Sequence, residues 1–232
     1  VKVIRNNENL GYSKGNNIGI KKAGGRNILL LNSDTELIGN GAQTMVKLLD
    51  QNSNIGIVGP KLVFPDKSPQ ASVGVFYNLP VAILYLLGLE RLGFFKSSPS
   101  VLKKVNWVMG ACFLFKKELT EKIGILDENL FMYMEEVEFC YRAKLNGYET
   151  YFTPEATVVH KERAGNPNNK TGAVINIYKG LMYFYKKYYP EFDLVILKTV
   201  LKIKAGILTI FGRLINNSYL SETYGKAFEL VK

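Results

Sequence analysis

The apolar run Ile28-Leu29-Leu30-Leu31 in "NILLLNSDTEL" stops abruptly at Asn32-Ser33-Asp34, and this break constrains the fold more than any other feature. A short continuous apolar run bounded by turn residues reads as a buried strand of a parallel sheet. An acid just past the C-terminal end of such a strand sits where open α/β sheets bind ligands, which makes Asp34 a candidate site residue. The local sequence is equally compatible with Asn32, Ser33 and Asp34 forming an Asx-type turn and capping the next helix.

The rest of the chain alternates strand and helix signals. "VKVI" reads as a strand already under way before any turn introduces it, so the beginning of the domain is expected to be missing. Ile18, Ile20 and Ala23 suit a short helix stopped by Gly24-Gly25, and Met45, Leu48 and Leu49 recur at helical spacing within residues 41–52. "IGIVGPKLVF" gives one or two strands, and "VNWVMGACFLFKKEL" resumes strand character. Between them, residues 65–104 carry four prolines around "VAILYLLGLERLGFF", the pattern of an insertion that forms a lid or substrate-facing loop. "MEEVEFCYRAKLNG" predicts a helix with Val137, Cys140, Tyr141 and Leu145 on one face and Gly147 ending it; "ETYFT" and "ATVVH" predict two closing strands. Strand alternating with helix means an α/β sheet.

From about Thr171 the pattern turns helical and basic. Lys179–Lys232 holds nine Lys or Arg against four Asp or Glu, half of the chain's net charge of +10. At 100° per residue, Lys198, Lys202, Thr209 and Arg213 fall on one stripe, and the remaining circumference is almost all aliphatic or Phe. Such a helix over residues 194–215 suits a membrane surface, and packing on its own domain or on a partner subunit is the other reading. The basic residues interrupt the run too often for a transmembrane span. A nucleic-acid groove favours aromatics interleaved with Arg, and the C-terminal run has lysines among Ile and Leu, which argues against nucleic acid as the anionic partner. The two cysteines, Cys112 and Cys140, lie in apolar segments without zinc or redox spacing and read as reduced core residues. No secretory signal opens the sequence, and a cytoplasmic location fits.

Three residues or clusters are suited to chemistry: Asp34, the acidic group Glu135-Glu136-Val137-Glu138, and His160, the one histidine. In order along the chain, "ENLGYSKGNNIGIKKAGGRNILLLNSDTEL", "VMGACFLFKKELTEKIGILDENLFMYMEEVEFCYRAKLNGY" and "ATVVHKERAG" resemble the family 2 glycosyltransferases of GT-A fold. The nearest branch is that of bacterial rhamnosyltransferase-like enzymes that build cell-surface polysaccharides. The resemblance covers roughly residues 1–165.

It implies a Rossmann-like, nucleotide-diphospho-sugar transferase sheet flanked by helices over 1–170, and the basic pattern described above adds an amphipathic helical extension over 171–232. It also implies inverting transfer of a sugar, rhamnose by analogy with the branch, from a dTDP- or UDP-sugar donor to a lipid-linked or polysaccharide acceptor. The enzyme would work as a peripheral protein on the inner face of the cell membrane. The reaction needs a base for the acceptor hydroxyl and a cation for the departing diphosphate. By resemblance, Asp34 and His160 hold a divalent metal, Mn²⁺ or Mg²⁺, and Asn32 occupies the first position of the D-x-D form. Glu136 stands where the family has a catalytic Asp. Gly15, Asn16, Asn17, Asn32 and Arg142 fall on the donor side, and Trp107, Gly110, Ala111 and Glu135 on the acceptor side. Glu138 matches a further acidic position of the helix motif. The family's N-terminal strand–helix–strand unit has no counterpart here. The alternative is a catalytically silent membrane-docking or subunit-binding module on the same scaffold.

Overall fold

The computed structural model describes residues 2–88, 95–162 and 170–232. In chain order the elements are α1 (Gly11–Lys22), β1 (Asn27–Leu31), β2 (Thr35–Leu37), α2 (Gly41–Gln51), β3 (Ile55–Val63), β4 (Pro69–Gln70) and β5 (Val73–Gly74). Then come α3 (Leu79–Leu86), β6 (Lys96–Ser97), β7 (Lys103–Val105), β8 (Trp107–Val108), β9 (Cys112–Lys116), α4 (Lys117–Ile123) and α5 (Glu135–Leu145). The chain closes with β10 (Glu149–His160), α6 (Lys170–Tyr188), α7 (Glu191–Leu214) and α8 (Ser218–Leu230). These elements fall into two compact units.

The first unit comprises Val1–Phe76, Gly93–Phe131 and Glu135–Gly165. Its main sheet runs β1-β9-β3-β10-β2, with β4 added beside β3 and β7 beside β10. Among the described residues only β3 and β10 pair in parallel; the other ladders are antiparallel. The apolar run of β9 has a reason in this layering. Cys112 and Leu114 join Met45 and Leu49 of α2 in one core layer, while Phe113 and Phe115 meet Phe139 of α5 in ring contacts. With both faces covered, every position from 112 to 115 is apolar. Each such burial contributes about 1.5–3 kcal/mol relative to exposure. Both cysteines are buried and unpaired, and burial pushes both thiols up to about 12. A three-stranded sheet, β6-β5-β8, sits on the same unit, where Trp107 packs so closely on Gly74 that a Cβ there would overlap its ring.

Several expectations change. Residues 2–10 form no strand, and Val3 and Ile4 are exposed; Val1 lies outside the described residues. The run at 28–31 is not a parallel strand: among the described residues β1 pairs with β9 alone, antiparallel, and Leu31 is 42% exposed. Having one covered face, β1 alternates in burial along its length. "ETYFT" and "ATVVH" form one strand, β10, whose register against β3 shifts between Thr153 and Thr157. Leu145 leaves the apolar face of α5 and is 61% exposed, because the helix ends there before Gly147 turns at φ +82°. The insertion yields β4, β5, α3 and β6, and residues 89–94 of it lie outside the described residues.

The second unit comprises Tyr77–Leu92, Met132–Met134 and Asn166–Lys232. α7 packs against α3, α6 and α8 through Leu197, Leu201 and Ala205, all buried. A Cβ at Gly212 would come within 2.6 Å of the Ser221 amide, so the glycine lets α8 approach α7. The aliphatic circumference expected around the basic stripe divides in two. One side is this buried contact; on the other, Phe192, Val195, Ile203, Ile207, Ile210 and Leu214 are each more than half exposed. Among the described residues no helix is long and apolar enough to cross a membrane.

Candidate active site

Asp34 is held by backbone hydrogen bonds from two directions. The Asn32 carbonyl accepts from the Thr35 amide at 3.2 Å and from the Thr35 hydroxyl at 2.6 Å, closing a turn around it. The Lys161 amide donates to the Asp34 carbonyl at 2.9 Å. β2 then runs antiparallel to β10 with Thr35 opposite His160, so Asp34 and His160 lie side by side at the end of the sheet. Asp34 Oδ1 is 3.5 Å from His160 Nε2, and the two side chains are 13% and 9% exposed. The next helix, α2, begins at Gly41 beyond β2, so the turn at 32–34 does not cap it. Among the described residues no three His, Cys, Asp or Glu side chains group to hold a metal ion; Asp34 and His160 stand as a pair.

The second ring nitrogen of His160 also has a partner. Its Nδ1 lies 2.9 Å from Gln70 Oε1, and Gln70 Nε2 donates to Glu162 Oε2 at 3.1 Å. Gln70 is buried and belongs to β4, paired opposite Leu62 of β3.

A pair of carboxyls opens α5, where the helix N-terminus favours negative charge. Glu135 is buried, Glu136 partly so, and among the described residues the Oε2 atom of each has no hydrogen-bond partner. Burial pushes the Glu135 carboxyl well above the usual carboxylate range, and the neighbouring Glu136 pushes it further. Burial likewise raises Glu136, while its backbone amide and the Lys96 ammonium pull it back. Beside them, the Tyr12 hydroxyl donates to the Gly110 carbonyl at 2.6 Å, and burial and both carboxyls raise its pKa. A Cβ at Gly110 would lie 3.1 Å from the Tyr12 hydroxyl and 3.9 Å from Glu136 Cβ. The next residue, Ala111, accepts at its carbonyl from the Asn32 amide at 3.0 Å. Gly110 and Ala111 therefore join the carboxyl pair to the turn that carries Asp34.

Other residues expected at the site are engaged elsewhere. Gly15, Asn16 and Asn17 lie inside α1, past its first four amides, so their N–H groups belong to the helix and are not open to phosphate. Asn16 donates to the Tyr12 carbonyl at 2.9 Å. Asn17 clamps a loop, donating to the Leu126 carbonyl at 2.9 Å and to Glu128 at 3.0 Å, and accepting from the Leu126 amide at 3.1 Å. Arg142 grips Glu138 through Nε at 2.7 Å and a second nitrogen at 2.8 Å, and also donates to the carbonyls of Ile123 and Ile125. Its guanidinium fastens α5 to the loop after α4. Trp107 is 2% exposed, and its indole N–H donates to the Val75 carbonyl at 2.9 Å, so its ring belongs to the core. Tyr12 and Gln70 escape the sequence reading: Tyr12 lies in the recognisable "NLGYSKG", but nothing near Gln70 points to a histidine 90 residues away.

The sequence model described as Glycosyl transferase family 2 matches residues 1–124. The low-salt glycan biosynthesis hexosyltransferase Agl10 of Haloferax volcanii is 31% identical over 144 residues, covering 59% of this chain and 44% of that protein. The dTDP-rhamnosyl transferase RfbF of Shigella flexneri is 26% identical over 156 residues, covering 66% of this chain and 49% of that protein. The chain thus spans less than half the length of either relative. A crystal structure of GalNAc-T7 with UDP, GalNAc and Mn²⁺ superposes with a TM-score of 0.59 at 14% identity, covering 98% of this chain and 44% of that one. At that identity the likeness is one of fold: a mixed sheet flanked by helices, of GT-A type.

Proposed function

The chain belongs to glycosyl transferase family 2, and from that membership we propose that it transfers a sugar with inversion from a nucleoside-diphosphate donor to a lipid-linked or polysaccharide acceptor. The dTDP-rhamnosyl transferase among its relatives supports rhamnose on dTDP as the donor to test first. The reading rests on one observation above all: a carboxylate oxygen and an imidazole nitrogen from different elements face each other 3.5 Å apart in a nearly enclosed place. Mixed oxygen and nitrogen donors fit Mn²⁺, while Mg²⁺ leans more on oxygen and water. Asp34 and His160 would hold the metal, with Asn32 beside them on the same turn. When bound, the metal supplies positive charge to the departing diphosphate.

Glu136 is the base in this account. A carboxylate raised by burial is better matched to removing a hydroxyl proton near neutral pH than an ordinary one. Glu135 keeps the pair short of charge compensation, and Tyr12 holds the Gly110 carbonyl in place beside it. Gly110 lies against Tyr12 and Ala111 in the core, so both frame the site through their backbone carbonyls, which accept from Tyr12 and Asn32. Glu136→Gln, Asp34→Asn and His160→Ala in the full-length enzyme should each lower transfer by about 100-fold or more while leaving the fold; wild-type activity in all three would refute the assignment.

A peripheral position on the inner face of the membrane is part of the same proposal. The exposed apolar row of α7 is flanked by Lys198, Lys202 and Arg213, a pattern suited to anionic lipid. That row also favours a second reading, a catalytically silent docking module. Flotation of the chain with anionic liposomes, lost on replacing Ile203, Ile207 and Ile210 by Ser, supports docking. Transfer abolished by Glu136→Gln decides against the silent reading.

A further inference from the structure

His160 presents one particular nitrogen to Asp34, and the cause lies in Gln70, outside the quoted motifs, and in Glu162, two residues past the histidine. Glu162 is a carboxylate and can only accept, so the Gln70 side chain must turn its NH₂ toward it, at 3.1 Å. That leaves Gln70 Oε1, an acceptor, facing His160 Nδ1 at 2.9 Å. Nδ1 must then carry the proton, and in the neutral ring the lone pair falls on Nε2, the atom 3.5 Å from Asp34 Oδ1. Two lone-pair-bearing atoms face each other there, and a cation resolves the conflict.

We infer that Gln70 is a positioning residue which, oriented by Glu162, fixes the His160 tautomer and ring so that Nε2 is open to a divalent cation. The inference rests on the metal reading above and deepens it. Gln70 is built in to do this: it is buried, its backbone is paired to β3, and both ends of its amide are engaged. A partner of this kind behind a histidine ligand is worth about 10–100-fold in metal affinity.

Because His160 is the one histidine in the sequence, its imidazole ¹⁵N resonances need no assignment. They are read in the metal-free chain under conditions where the ¹⁵N spectrum itself shows the neutral ring. Mn²⁺ affinity is measured separately from the free-ion signal in electron paramagnetic resonance. The wild-type chain should show the Nδ1–H tautomer. Gln70→Leu should move the population toward Nε2–H and weaken Mn²⁺ by about 10–100-fold. Gln70→Glu combined with Glu162→Gln keeps an acceptor opposite Nδ1 and a donor facing residue 70, and should return both toward wild type. Glu162→Ala, at an exposed position and so safe for folding, should shift the tautomer in the same direction as Gln70→Leu, by less. Wild-type tautomer in both Gln70→Leu and Glu162→Ala would overturn the inference. If the wild-type chain binds no Mn²⁺, the metal reading fails, and the tautomer in the variants alone decides whether Gln70 sets it.

Discussion

Two ionisable pairs of the first unit, Asp34 with His160 and Glu135 with Glu136, are built on opposite principles. Asp34 and His160 are unlike groups, a carboxylate and an imidazole, and each is held by a hydrogen bond elsewhere: Asp34 by the Lys161 amide at its carbonyl, His160 by Gln70. Glu135 and Glu136 are alike in charge, and among the described residues each leaves a carboxyl oxygen unpartnered. In the proposed site, a tethered pair of unlike donors would receive a cation. A crowded, desolvated pair of acids is organised to receive a proton, because burial and mutual repulsion both favour the neutral form. The peptide from Gly110 to Ala111 links the two, with its residues bonded to Tyr12 on one side and Asn32 on the other.

The difference can be broken by mutation, and the largest effect belongs to the acid pair. Glu136→Gln should lower the rate of sugar transfer by about 10²–10⁴-fold, the range for loss of a general base, measured as kcat in the full-length enzyme. The same change should raise Tm at neutral pH. The sign follows from linkage: a folded-state carboxyl raised above its unfolded value adds stability below about pH 4.3 that is lost as pH rises through the folded value. Removing the charge removes that loss, so the gain in Tm should shrink toward pH 4. A catalytic loss accompanied by lower Tm would mean that Glu136 serves the fold.

Asp34→Asn should abolish the thermal stabilisation given by Mn²⁺, which for an intact site reaches about 2.7 kcal/mol at a hundredfold excess over Kd. Gly74→Ala separates stability from site chemistry. Its Cβ would overlap the Trp107 ring, an overpacking that costs about 1–3 kcal/mol, so Tm should fall while the response to Mn²⁺ persists. Loss of the Mn²⁺ response in that variant would show that the two regions are not independent. The smallest effect should come from Lys96→Met. Removing the ammonium that pulls Glu136 back should move the acid limb of the pH–rate profile upward. A downward move would contradict the assignment of Glu136 as base.

How much of this was legible in the sequence depended on distance along the chain. Helix α2 and the face carrying Met45 and Leu49 followed from spacing, as did the acid at the end of the apolar run. The pairing of Asp34 with His160 came through resemblance, and β2 against β10 gives it a physical cause. Strand direction was not legible, because a run such as Ile28–Leu31 looks the same whether its neighbour is parallel or antiparallel. Nor were the partners of Asn17 and Arg142. An asparagine near a helix start and an arginine in an acidic motif both suit phosphate, yet Asn17 spends its amide on residues 126 and 128, and Arg142 binds carbonyls at 123 and 125. Gln70 shows the limit most clearly, since its role exists only once β4 has paired with β3 and brought it to His160.

The most direct test is a thermal melt of the 232-residue chain with Mn²⁺ and, in turn, dTDP, UDP and GDP, beside the Asp34→Asn variant. A site of the kind described predicts that one diphosphate raises Tm, that it does so only with Mn²⁺ present, and that Asp34→Asn loses the effect. A rise that survives in Asp34→Asn, or a chain indifferent to every diphosphate with Mn²⁺, would contradict it.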